Sequence, residues 1–218
     1  MKKIIILFFI TGLFSLTAKA QIWKEYSSFY RSVGVQLGTR GIGIEGSYPL
    51  NEQFNLRLGG SIFPSMKMKY RQQKFKLNRS DISLFGDWQP LYGRDSWIAR
   101  KWIVSAGAGY FFENKLTRYK PETQVSNEPK DYELEWSKFR PYVGTGLNGI
   151  AISRQLNLSV NLGYYIPTSS YKLKTYDMGS AEVADLENKI ESLKYSIAQS
   201  LNVQVGISYI FFKNSYHK

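Results

Sequence analysis

Two aspartates six residues apart, Asp81 and Asp87, and a lone histidine, His217, are what this 218-residue chain offers for acid–base chemistry. A hydrolytic site needs carboxylates working with a histidine, or a hydroxyl nucleophile beside a histidine base. His217 is the penultimate residue, and the two aspartates fall on one face of one strand, where unassisted carboxylates read as structural. The absence of cysteine removes thiolate nucleophiles, thiolate metal sites and disulfides. Gly144 and Gly146 sit in a strand pattern without the strand-to-helix turn of a phosphate loop. The expectation is a protein that is not an enzyme and carries no metal or other cofactor.

Charge pairing is better represented than catalysis. Glu45, Arg57 and Asp87 lie on the polar faces of three consecutive strands and are expected to meet as an ion-pair cluster. Lys67, Lys69, Arg71, Lys74, Lys76 and Arg79 occur within thirteen residues and no acidic residue falls among them. Such density suits phosphate groups. The formal net charge of +12 accompanies 16% aromatic residues, too many for a disordered basic tail, so the charge belongs to a folded body. No nucleic-acid partner is expected.

The elements that position these residues begin after an address. Met1-Lys2-Lys3 is followed by an apolar run over 4–16 and by Ala18-Lys19-Ala20, the small-x-small pattern of a cleaved secretory signal over 1–20. The run is shorter than the about 20 apolar residues of a spanning helix. Gln21 at the new end carries no thiol for lipid attachment. A lead segment over 21–31, a barrel over 32–212 and a tail over 213–218 would complete the chain.

From residue 32 onward the hydropathy alternates with period two. Leu201, Val203, Val205, Ile207, Tyr209 and Phe211 oppose Asn202, Gln204, Gly206 and Ser208, and the same split recurs over 156–164 and 54–62. Further strands are expected over 82–88, 102–112 and 139–147. Near the start, Val33, Val35 and Leu37 occupy odd positions whereas Ile42, Ile44 and Tyr48 occupy even ones. A slip of one exchanges the faces, so 38–41 holds a bulge or a tight hairpin; the hairpin reading gives eight strands. Short links at 49–53 and 151–155 alternate with long ones at 66–78, 113–138 and 167–200, as in barrels with short periplasmic turns and long external loops. The link at 91–101 is of intermediate length.

Alternation does not say which face points outward, and a soluble lipocalin-like barrel competes. The second face here is Gly, Ser, Asn and Gln with few charges, unlike a water-facing surface and suited to a narrow closed lumen. The apolar faces end in aromatics, among them Tyr48, Phe54, Trp88, Trp102, Tyr110, Phe112, Tyr164, Tyr209 and Phe211, as membrane girdles do. The fold expected is therefore all-β, an eight-stranded antiparallel transmembrane β-barrel with one short helix in a long external loop. That helix is read over 180–197, where Ser180 can cap and Val183, Leu186, Ile190, Leu193 and Ile197 form an apolar stripe that packs on the protein itself.

The segments VGVQLGTRGIGIEGSYPLNEQFNLRLGG at 33–60, FGDWQPLYG at 85–93, VSAGAGYFFENK at 104–115, PYVGTG at 141–146 and the terminal GISYIFF resemble the β-barrel outer-membrane proteins of Gram-negative bacteria. The resemblance implies residence in the outer membrane, contact with its lipid and lipopolysaccharide, and assembly machinery that reads a terminal aromatic such as Phe211 or Phe212. Here the chain continues past that aromatic to Lys218. It also places the basic run Lys67, Lys69, Arg71, Lys74, Lys76 and Arg79 at the level of lipopolysaccharide head groups. Met68 and Tyr70 are expected to continue the strand phase of Ile62. Two roles stay open: a structural or surface-recognition barrel with a largely filled lumen, and a narrow porin-like barrel for a small or apolar solute. If the 49–53 turn is centred on Asn51, Tyr48 faces Phe54 and Glu45 faces Arg57.

Overall fold

The computed structural model describes residues 28–64, 67–70, 73–120, 130–176, 183–184, 186–187 and 199–211. The expected signal segment, the 213–218 tail and most of the 180–197 helix lie outside the described residues. Eleven strands are described: β1 Ser32–Gly38, β2 Gly41–Pro49, β3 Phe54–Phe63, β4 Lys67–Tyr70, β5 Gln73–Trp88, β6 Trp102–Tyr119, β7 Lys130–Glu135, β8 Phe139–Ala151, β9 Leu156–Tyr165, β10 Lys172–Thr175 and β11 Leu201–Ile210. Eight of them close a barrel in the order β1-β2-β3-β5-β6-β8-β9-β11, with β11 returning antiparallel to β1 through pairs such as Val35↔Ile207. Closure leaves the barrel no edge, which is what lets strands cross a membrane with every backbone group paired.

The two faces are opposite in kind. Ile44 is 68% exposed and Val35 60%, whereas Asp87 is fully buried. An apolar exterior around a polar interior requires lipid outside and rules out the lipocalin alternative, whose apolar face would be inside. Tyr48, Phe54, Trp88, Tyr110, Phe112, Tyr209 and Phe211 are exposed on the outer face, with Trp102 and Tyr164 half-buried. Phe54 stacks on Trp88 with centroids 6.4 Å apart.

The phase slip at 38–41 is a hairpin. Gly38 pairs with Gly41 across the two-residue turn Thr39-Arg40, and Gly41 has φ +98°, a conformation that glycine adopts without penalty. The turn between β2 and β3 departs from expectation by one residue. Leu50 and Asn51 both donate to the Phe54 carbonyl, and the Asn51 side chain accepts from the Gln53 and Phe54 amides. This Asx-type closure centres the turn on Glu52, so Glu45 pairs with Gly59, Ser47 with Arg57 and Tyr48 with Leu56. The expected pairs Tyr48–Phe54 and Glu45–Arg57 are thus displaced by two places, and parity is kept.

The long connections contain more strand than the sequence suggests. β5 and β6 run beyond the barrel rim, where β4, β7 and β10 extend the sheet. One face of this extension carries Tyr132 and Leu134 packed with Leu186, joined by Leu116, Trp136, Tyr171 and Leu173. Residues 183–184 and 186–187 are helical, and the stripe residue Leu186 packs on the protein's own sheet. At the other rim, the 91–101 link holds a helix that periodicity misses, α1 Trp97–Lys101, because one turn is too short to show a period. Ser96 caps it, its Oγ accepting from the Ala99 amide at 3.5 Å.

Candidate functional site: the barrel interior

The inward positions supply the chain's concentrated polar chemistry, arranged in layers from one rim to the other. At the rim holding both ends of the barrel, residues 28–30 tuck under the strands. Phe29 is fully buried, and Ser28 donates through its amide and hydroxyl to Gln89 Oε1 at 3.2 and 3.3 Å. Gln89 Nε2 in turn donates to the carbonyls of Ala99 and Arg100, tying lead segment, β5 turn and α1 together. Burial raises the Tyr30 phenol above its ordinary range, so it stays neutral.

The next layer is the Glu45, Arg57 and Asp87 group. Arg57 donates from Nε to Asp87 Oδ2 at 3.0 Å, from Nη2 to Asp87 Oδ1 at 3.0 Å and from Nη1 to Glu45 Oε2 at 3.2 Å. Asn55 and Ser105 donate to the same Asp87 carboxylate at 3.1 and 2.7 Å. The structure brings all three residues together although the register differs from that expected, because an arginine reaches across the two-place diagonal between neighbouring strands.

Above it lies an aromatic layer. Phe85, Phe111, Tyr142 and Tyr165, from four different strands, form one buried cluster. Their ring centroids are 4.6 Å apart for Phe85–Tyr142, 4.8 Å for Tyr142–Tyr165 and 5.4 Å for Phe111–Tyr165. The paired glycines Gly144 and Gly163 make this possible, since a Cβ at either would collide with the Tyr142 phenol. Arg40 joins the layer from the hairpin turn, its Nη1 donating to Asp81 Oδ2 at 2.7 Å, to Ser83 Oγ at 3.1 Å and to the Tyr165 hydroxyl.

Towards the far rim two arginines flank Phe111, their guanidinium carbons 5.9 Å (Arg79) and 5.7 Å (Arg140) from the ring centroid. Arg79 Nε donates to Asn114 Oδ1 at 3.2 Å, and Arg140 Nε to Ser137 Oγ at 3.0 Å. Both also donate to the Gln199 carbonyl at 3.3 Å. A bulge in β6, where Ser80 pairs with Glu113 and Asp81 with Phe111, puts both Phe111 and Asn114 inside.

Arg79 is therefore not part of an external basic surface. It shares the inward parity of Asp81, Phe85 and Asp87 on an unbroken strand, and that parity was readable in the sequence. Lys74 and Lys76 occupy outward positions on β5. Lys67 pairs with Lys76 and Lys69 with Lys74, so the four positions share one face. This pairing is one residue out of step with Phe63↔Arg79. Met68 and Tyr70 accordingly do not continue the phase of Ile62: the chain slips by one between β3 and β4. Arg71 lies outside the described residues.

Sequence reasoning missed Arg40, Arg140, Asn114 and Gln199. Arg140 was recoverable from its parity with Tyr142. Arg40 was not, because a turn residue carries no strand parity. Asn114 was hidden by the bulge and Gln199 by its place outside the strands. Among the described residues no group of three His, Cys, Asp or Glu side chains could hold a metal ion.

No family model and no curated protein matches the chain. Two solved structures share its fold. CarO of Acinetobacter baumannii has a TM-score of 0.54 and 19% identity, covering 84% of this chain and 98% of its own. CarO2 of Acinetobacter baumannii has a TM-score of 0.58 and 18% identity, covering 84% of this chain and 99% of its own. The present chain shares the fold of both neighbours, and its apolar belt around a polar interior is that of a membrane-spanning barrel.

Proposed function

We propose that this eight-stranded outer-membrane β-barrel is a non-enzymatic, non-conducting protein with a structural or surface-recognition role. The observation that carries the reading is the aromatic layer. Phe85, Tyr142, Tyr165 and Phe111 cross the interior with neighbouring centroids about 5 Å apart, ordinary ring-to-ring contact that leaves no width for a hydrated ion. An eight-stranded barrel has an interior that side chains can fill; here the Arg40–Asp81 pair lies within the aromatic layer and the Arg57–Asp87 pair at the level next to it.

Both interior aspartates are committed to partners. Asp87 is held by Arg57, Asn55 and Ser105, and Asp81 by Arg40, so neither carboxylate is placed to move a proton for a substrate. Reconstitution of the full-length mature protein in planar bilayers tests the closed lumen. The expected result is a baseline without single-channel steps. Reproducible steps that persist at neutral pH would replace this reading with the narrow porin-like alternative.

A further inference from the structure

Among the described residues four arginines are enclosed by the barrel, Arg40, Arg57, Arg79 and Arg140, each more than nine-tenths buried. Their charges are not met alike. Arg40 has Asp81 at 2.7 Å, and Arg57 has Asp87 at 3.0 Å and Glu45 at 3.2 Å. Arg79 and Arg140 form no ion pair with a described residue; their acceptors are the neutral oxygens of Asn114, Ser137 and Gln199. The carboxylates nearest along the strands are turned elsewhere. Asp81 lies two places from Arg79 on the same face of β5 but is held by Arg40, and Glu113, beside Asn114 on β6, is exposed on the outer face. A neutral acceptor satisfies the direction of a hydrogen bond and leaves the charge uncompensated, which is costly in an enclosed site.

The two unmet cations are also neighbours. Both donate to the one Gln199 carbonyl at 3.3 Å, and both stand against the Phe111 ring. Like charges at this range repel in a low dielectric, and an anion between them turns that repulsion into attraction. Donors are in excess here. Nη1 of Arg79 and Nη2 of Arg140 donate to no described residue, and neither is sealed away, unlike Nε and Nη2 of Arg40. Asn114 accepts from Arg79 Nε through Oδ1, and this orientation leaves its amide nitrogen a buried donor without an acceptor. Two uncompensated positive charges with unmet donors beside them describe a seat for a doubly charged oxyanion.

We propose that the external mouth of the barrel binds one phosphate dianion, as inorganic phosphate or as the end of a phosphomonoester, between Arg79 and Arg140 with Asn114 as a third donor. Two guanidiniums match its charge, which a single carboxylate or halide does not, and the planar fork of arginine suits its oxygens. The site lies on the external side of the aromatic layer, and its occupancy does not depend on whether the lumen conducts.

The test uses the folded mature protein in detergent micelles, titrated in a calorimeter at constant ionic strength with inorganic phosphate, with glycerol 3-phosphate and with acetate. Phosphate should bind one to one, about tenfold or more tighter than acetate, and should raise the midpoint of thermal unfolding. A phosphomonoester takes its second charge near pH 6, so any glycerol 3-phosphate binding should be tighter at about pH 7.5 than at about pH 5. Arg79→Gln and Arg140→Gln should each weaken phosphate binding by about tenfold or more. Binding of both phosphates supports the proposal and assigns the site to a phosphomonoester presented from outside, whereas binding of inorganic phosphate alone supports it and assigns the site to the free ion. Lack of saturable phosphate binding by the wild type, or acetate bound as tightly as phosphate, would overturn the proposal whatever the variants do. So would variants that keep the heat-dependent gel shift and bind phosphate as tightly as the wild type.

Discussion

Arg57 and Asp87 meet through two parallel hydrogen bonds of 3.0 Å although they are not opposite one another: Asp87 is paired with Asn55, and Arg57 with Phe85. The diagonal lets one carboxylate accept from Arg57, Asn55 and Ser105 at once and leaves Nη1 of the arginine for Glu45. A bidentate, fully enclosed arginine–carboxylate pair is strong in geometry, and its cost shows only when one member is removed.

Arg57→Ala is therefore expected to destabilise the barrel by roughly 3–5 kcal/mol, because Asp87 would stay buried and lose its counter-charge. The midpoint of urea unfolding, followed by the heat-dependent gel shift, reads this. Conductance should remain at baseline, since all four rings of the aromatic layer remain; a variant of unchanged stability would mean that the pair contributes nothing to the fold.

The Arg40–Asp81 pair makes a sharper case because Arg40 comes from a turn. Arg40→Ala leaves the buried Asp81 carboxylate without its cation, whereas Arg40→Ala with Asp81→Asn removes both charges. The double variant should be more stable than Arg40→Ala alone, and the cycle of both single variants and the double should give a coupling of about 1–3 kcal/mol. Additive losses in a double-mutant cycle would show that the two do not interact.

Gly163→Ala places a methyl group in the space of the Tyr142 ring. Overpacking of this kind should cost about 1–3 kcal/mol. Adding Tyr142→Leu, which removes the colliding ring carbons together with the hydroxyl, should restore part of it. Failure of that rescue in thermal unfolding would place the clash elsewhere.

Gln89→Leu keeps side-chain volume but removes the acceptor for Ser28 and the donor to the α1 carbonyls. The barrel should still form, while the lead segment around residues 28–30 becomes cleavable by added protease from the periplasmic side. Protection equal to wild type would show that Phe29 alone holds the segment.

Much of the architecture was legible because period-two alternation fixes both strand and face locally. Leu201 to Phe211 announce their two faces without reference to any partner, and the small polar character of the second face indicated which side is enclosed. The same alternation assigned Arg57 and Asp87 to the interior, and the reach of an arginine tolerated a register wrong by two. It could also have placed Arg79 inside, had parity been weighed above the local density of lysines.

Relations between segments distant in sequence were settled by folding itself. Turn closure by the Asn51 side chain set the β2–β3 register, and the β6 bulge near Phe112 reversed the faces beyond it. Neither changes composition or periodicity enough to be seen beforehand. Arg40 illustrates the limit: in sequence it is a charged turn residue, and only the closed barrel brings Asp81, Ser83 and Tyr165 beneath it. Hydropathy is a property of each residue, so sequence alone sorted inside from outside. Pairing depends on how the wall curves and closes, so it took the folded barrel to determine which of the enclosed groups meet.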